Sequence, residues 1–265
     1  MSDRLPEKVV QHSWRDPAIH LAHEADARRL TRNSLLCTAV IYLHLLAVAA
    51  ALVPPWTAAI TAMLLVPRWM IAVHELFHLR SDREVDPVTW LQPLVFTPLS
   101  LGYREMLANH RSHHRFMSTR RDVEFYQLRG TPAAGFINAM TAPEQMWMRW
   151  VLEQGVDRQL ALTTVLRCAL FAGFAGVCGA SFLWYWLPAR CAYGISYFVF
   201  FYCLHRRGDA MGVYRLALPS GVANFITLFY GADLVEAILH HDVHHAQPRI
   251  AARDLAASRA VIGGS

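Results

Sequence analysis

The stretch LLCTAVIYLHLLAVAAALV (35–53) carries no charged side chain and is close to the roughly 20 residues needed to cross a hydrocarbon core. A segment of that kind must satisfy its own backbone polar groups, which makes it a helix. TAAITAMLLVPRWMIAV (57–73) follows directly after the breaker Pro54-Pro55, and two further apolar runs occupy 161–187 and 188–204. The four runs predict an all-α, multi-pass integral membrane protein. Composition agrees: 54% of residues are hydrophobic and only 17% charged, which is apolar for a soluble domain. The first run follows more than thirty mostly polar residues and lacks a small-residue cleavage site, so it does not read as a secretory signal.

The formal charge of +5 comes almost wholly from arginine, Lys8 being the only lysine. Nucleic-acid binding would require a basic stripe with interleaved aromatics. Here the arginines occupy the segments between apolar runs, so no nucleic-acid partner is expected and membrane topology accounts for them. Arg28, Arg29 and Arg32 precede the first run, and Arg80 and Arg83 follow the second. The connection VPPW between these runs has no basic residue. By the positive-inside rule, the N-terminus, region 79–160 and the C-terminal tail are cytoplasmic, with Trp184 and Trp186 in the far aromatic belt. The expected architecture is four transmembrane helices with a cytoplasmic helical cap, in the inner membrane of a bacterium. Segment 88–103, interrupted by Pro93 and Pro98, reads as a re-entrant or interfacial hairpin, and 136–153 as one interfacial helix. A single domain covers 1–265, with a cytoplasmic lead-in over 1–33 and a tail over 246–265. All five cysteines fall inside expected spans, which argues against disulfides.

Histidines dominate the segments on the cytoplasmic side. HELFH places His74 and His78 four residues apart, on one face of a helix. NHRSHH supplies His110, His113 and His114, and HHDVHH supplies His240, His241, His244 and His245. Any one of these alone reads as a polar interface residue. The i,i+4 pair and the two H-x-x-H-H patterns, the second without His240, give eight imidazoles that need a common cation, because each charged ring disfavours the next. Neutral imidazole ligates zinc, copper, iron and nickel, and eight ligands exceed what one ion takes, so the count points to two metals. HELFH also fits the zinc-protease pattern with Glu75 as base, a reading that leaves both H-x-x-H-H clusters unexplained. Glu75 and Asp242 are then expected to orient ligand rings through their second nitrogens, and His240 to stand just behind the ligands.

Three boxes spaced H-x3-H, H-x2-H-H and H-x2-H-H around four spans resemble the membrane fatty acid desaturase and hydroxylase superfamily over residues 35–250. The resemblance implies a non-haem di-iron centre at the cytoplasmic face that uses O2 to oxidise an unactivated C–H bond. Its metal ligands would be His74, His78, His110, His113, His114, His241, His244 and His245, joined by His205 in CLHRRG. It also implies two iron ions cycling between Fe2+ and Fe3+, and a lipid or acyl chain entering from the bilayer. With no fused cytochrome b5, flavin or iron–sulfur signature, electrons are expected from a separate donor of ferredoxin, rubredoxin or cytochrome b5 type with its reductase. Fatty acyl desaturation or hydroxylation is the leading expectation. A carotenoid or terpenoid ketolase or hydroxylase is the alternative within the superfamily, and an intramembrane zinc protease or a non-catalytic metal-binding or transport protein the alternatives outside it. Among the rest, Arg68 is expected to snorkel or pair structurally, with an anionic headgroup or carboxylate as the alternative partner, His44 to be a packed or hydrogen-bonded helix residue, and His12, His20 and His23 to lie at the surface.

Overall fold

The lead-in and the first apolar run form one helix, α1 (Pro17–Ala49), because no glycine or proline interrupts the chain between them. The computed structural model describes residues 17–80, 97–117 and 119–263. Helix α2 (Thr57–Leu79) returns antiparallel to α1 after a short turn in which Ala51 adopts φ 55°. Buried Ala58 and Ala62 on α2, with Ile41 and Leu45 on α1, belong to the main core, and small residues let two apolar helices approach closely. His44 stays within this pair, its Nε2 2.8 Å from the Thr57 hydroxyl and its Nδ1 3.2 Å from that of Thr61.

The middle of the chain forms α3 (Tyr103–Phe116), α4 (Pro132–Met140) and α5 (Ala142–Gln154). The single helix expected over 136–153 is therefore two. Pro143 lacks an N–H and its ring opposes the carbonyl four residues back, so the chain restarts at Thr141. Of the expected hairpin over 88–103, residues 88–96 lie outside the described residues, and 97–102 are non-helical up to α3.

Among the described residues, three helical stretches are long and apolar enough to cross a membrane: Glu24–Ala49, Thr57–Leu79 and the 46-residue Arg158–Cys203. The last contains α6 (Arg158–Cys178), a 3-10 turn over Gly179–Phe182, α7 (Leu183–Tyr197) and a π-helical turn over Phe198–Cys203. Gly179 takes φ 54°, a geometry that glycine adopts without steric cost. The division expected at Pro188 thus moves to Gly179, and Pro188 sits inside α7. Helix α6 runs along α1, where the Cys178 thiol donates to the Leu45 carbonyl at 3.4 Å. Helix α7 packs on α2 and α4, and an added Cβ at Gly194 would strike Met140.

A short hairpin, β1 (Arg206–Arg207) with β2 (Ala210–Met211), leads to four more helices: α8 (Ser220–Tyr230), α9 (Ala232–Leu239), α10 (His241–Ala246) and α11 (Leu255–Gly263). A second core of Ile71, Phe200, Leu204, Leu234, Ala237, Ile238, Val243 and Leu255 ties α9 and α10 to α2 and the π turn. Helix α8 buries none of its residues. Its last carbonyls, of Leu228 and Phe229, accept hydrogen bonds from Arg68 at 3.3 and 2.6 Å, so Arg68 is paired within the fold.

Candidate metal centre

Each histidine box sits on its own helix. His74 and His78 occupy the last turns of α2, His110, His113 and His114 lie on α3, and His241, His244 and His245 lie on α10. His205 follows directly after the π turn. Ring contacts join all nine, with centroid separations that include 4.8 Å for His74–His110, 4.5 Å for His78–His244 and 4.8 Å for His113–His205.

The rings sort into two groups that cut across the boxes. His74, His78, His110 and His244 form one, and His113, His205 and His245 the other, with ligand nitrogens within 4.8 Å of one another in each. Each H-x-x-H-H box thus sends one ring to each group. His114 lies between them, stacked on His245 at 4.1 Å and 4.6 Å from His110. His241 adjoins the second group, its Nε2 3.3 Å from that of His205.

The donor chemistry fits metal cations. Nε2 atoms face one another at 2.7 Å in His78–His110 and at 3.0 Å in His205–His245. His205 Nδ1 donates to the Phe200 carbonyl at 3.0 Å, so its Nε2 carries a lone pair aimed at two other rings. Both ring nitrogens of His114 and of His244, and Nδ1 of His241, are buried without a hydrogen-bond partner. An unsatisfied buried polar group costs about 1–3 kcal/mol, and a shared cation removes that cost. The histidine cluster can hold metal, and its all-imidazole donors suit zinc, copper, iron or nickel.

Electrostatics keeps these rings ready for coordination. Burial first, then the neighbouring imidazoles, hold His110, His241, His244 and His245 well below the usual histidine range, and push His114 down to about 2. A neutral ring is the ligating form. His113 is the exception: burial lowers it, but the Asp122 hydrogen bond and the charges of Glu124 and Asp122 outweigh that and raise it.

Two carboxylates brace the groups in the same way. Glu75 Oε1 lies 3.1 Å from His74 Nδ1 while Oε2 accepts from the Ala252 amide at 2.8 Å. Asp122 Oδ2 lies 2.9 Å from His113 Nδ1 while Oδ1 accepts from the Glu124 amide at 2.9 Å. Asp122 and Glu124 were not singled out in the sequence, although they are the only acids between Glu105 and Glu144. Asp242, expected as an orienter, and His240, expected just behind the ligands, sit elsewhere. Asp242 pairs with Arg259, and His240 Nδ1 accepts from the same guanidinium at 3.0 Å, so both face outward. The reason is helical phase: on α10 the rings of His241, His244 and His245 turn inward, and Asp242 points the other way.

An apolar cavity opens directly onto the first group. His74 and His110 form part of its wall, and Trp69, Phe77, Tyr193 and Phe200 supply much of the rest, with Glu124 the only acid among the described residues. No protein-family profile, curated protein or solved structure matches this chain.

Proposed function

We propose that this chain is an O2-dependent di-iron oxidase of the membrane fatty acid desaturase and hydroxylase superfamily, acting on a C–H bond of a lipid-like chain as an acyl desaturase or hydroxylase. The observation that carries the reading is the sorting of seven of the nine histidines into two groups drawn from different segments, with two rings of one group forming part of the wall of an apolar cavity. The nine would hold two irons. When bound, these supply O2 activation and the oxidation of an unactivated C–H bond. The chain's own residues do the rest. The aromatic cavity walls hold an apolar substrate against His74 and His110 and keep water out. Glu75 and Asp122 fix the orientation and tautomer of His74 and His113, leaving each Nε2 free to ligate.

Four crossings are part of the same proposal, with Arg158–Cys203 counted as two helices turned at Gly179. At 1.5 Å per residue a run of that length is about twice the thickness of a hydrocarbon core. The histidine cap and both termini then face the cytoplasm of a bacterium, where a separate electron-transfer protein would dock. Against the zinc-protease alternative stands Glu75, whose oxygens brace His74 and the Ala252 amide, together with the two further histidine boxes that a single zinc would leave unused.

Metal analysis of the purified full chain tests the function. About two irons per chain, with O2-dependent change in lipid extracts on expression, are expected. A single zinc, lost only on substitution of His74 or His78, would sink the oxidase. Reporter fusions at the α1–α2 turn and at the C-terminus test sidedness, and opposite sides are expected.

A further inference from the structure

Away from the histidines, a cleft of about 1120 Å³, measured to its open mouth, lies between α1, α2 and the α8–α9 turn. We propose that this cleft binds the headgroup of an anionic membrane phospholipid through Arg68, with an acyl chain laid along Leu36, Val40 and Leu65. The inference rests on membrane insertion alone and is independent of the metal chemistry.

Three arginines line the cleft, and their partners differ. Arg29 forms a two-pronged pair with Asp233 at 2.6 and 3.1 Å, and Arg253 reaches Asp26 at 2.9 Å. Arg68 is exposed, and both of its hydrogen bonds go to carbonyl oxygens. No ion pair to it occurs among the described residues. Carbonyls supply dipoles but no counter-charge. Arg68 lies within a stretch apolar enough to cross a membrane and lines the cleft with Leu36 and Cys37, at the start of the apolar run of α1. A cation beside lipid is costly unless it meets an anion.

The rest of the cleft narrows the choice of anion. Leu36 and Val40 are 55% and 46% exposed, and with Leu65 they form an apolar wall leading away from the guanidinium. A free inorganic anion would leave that wall bare, whereas a phospholipid covers it with a chain. Guanidinium meets phosphate with a matching fork of donors, and basic pockets between membrane helices recognise anionic headgroups. A lipid there would also press α8, which buries nothing of its own, against α2. Its binding would therefore stabilise the fold by mass action.

The test uses the full chain reconstituted into discs of dioleoylphosphatidylcholine containing a minority of dioleoylphosphatidylglycerol, then extracted into detergent. Retained lipid is counted by native mass spectrometry. One phosphatidylglycerol per chain is expected. Arg68→Gln should reduce retention by about tenfold or more, given the strength of charge-assisted forked pairs. Val40→Trp fills the groove without touching Arg68 and should reduce it similarly, which keeps the test decisive if Arg68→Gln misfolds. Arg28→Gln, outside the cleft, should retain the wild-type amount. Equal retention of phosphatidylcholine, wild-type retention by Val40→Trp, or displacement of the lipid by oleic acid or inorganic phosphate would each overturn the proposal. None of these readouts depends on iron or turnover.

Discussion

The two histidine groups share one device and differ in much of what surrounds it. In each, a carboxylate bridges a ring nitrogen and a backbone amide: Glu75 between His74 and Ala252, Asp122 between His113 and Glu124. Beyond that brace, the first group borders an apolar cavity. The second is backed by a further buried acid, Glu124, which also reaches the wall of that cavity and lies 4.0 Å from His113, and by the Phe200 carbonyl on His205. Burial first pushes the Glu124 carboxyl up, to about 7. Identical ligand types therefore sit in unlike fields. The comparison sets a group whose rings reach an apolar cavity against one whose rings are held mainly by polar partners.

The largest test of that contrast removes a ring from each side. His110→Ala and His205→Ala should each lower O2-dependent turnover by more than the ~100-fold ceiling typical of outer-shell changes. Each should cost about one iron while membrane insertion persists. If either variant keeps substantial turnover, its group is not a ligand set. Next, Glu75→Gln and Asp122→Asn should each weaken metal binding by about 10–100-fold, at different groups, so that the double variant loses both irons. Competition with a calibrated chelator reads this, and equal weakening of both irons by one substitution would erase the distinction.

A smaller effect is expected from pH in the metal-free protein. His110, His114, His241, His244 and His245 have folded-state values below their unfolded ones, so the unfolded chain binds more protons. Their stability contribution is present above the unfolded histidine value near 6.5 and is lost as pH falls below it, by at most about 1.4 kcal/mol per pH unit for each group. His113, raised in the fold, works in the opposite direction. Thermal melts in detergent from neutral pH downward should show the midpoint falling, and metal loading should flatten the fall. Smallest of all is Asp242→Asn. Its carboxylate pairs with Arg259 on an accessible surface, so about 0–1 kcal/mol of stability and no loss of metal is expected. A tenfold drop in metal affinity would show that Asp242 acts on a ring after all.

Much of this organisation is local and therefore legible in the chain. Apolar run length announces helices that can cross a membrane, and the His74/His78 and H-x-x-H-H spacings announce imidazoles on one helical face. The corrections also have local causes that a hydropathy reading passes over. Pro143 splits one expected helix at Thr141, and Gly179, with φ 54°, ends α6 nine residues before Pro188. Asp122 stayed hidden because a loop carboxylate has no periodicity linking it to a ring on α3.

What the sequence determined by itself is the set of ingredients: apolar segments, three histidine boxes and their helical phase, all following from backbone periodicity within single segments. The tertiary structure alone decided how the ingredients combine. It sent His110 and His244 to one group and His113 and His245 to the other, chose Asp122 over Asp242 as a brace, and opened a cavity onto His74. Those outcomes depend on the rotation and offset of α2, α3 and α10 against one another. Packing among residues far apart in the chain, such as Ile71, Phe200, Leu234 and Val243, sets both.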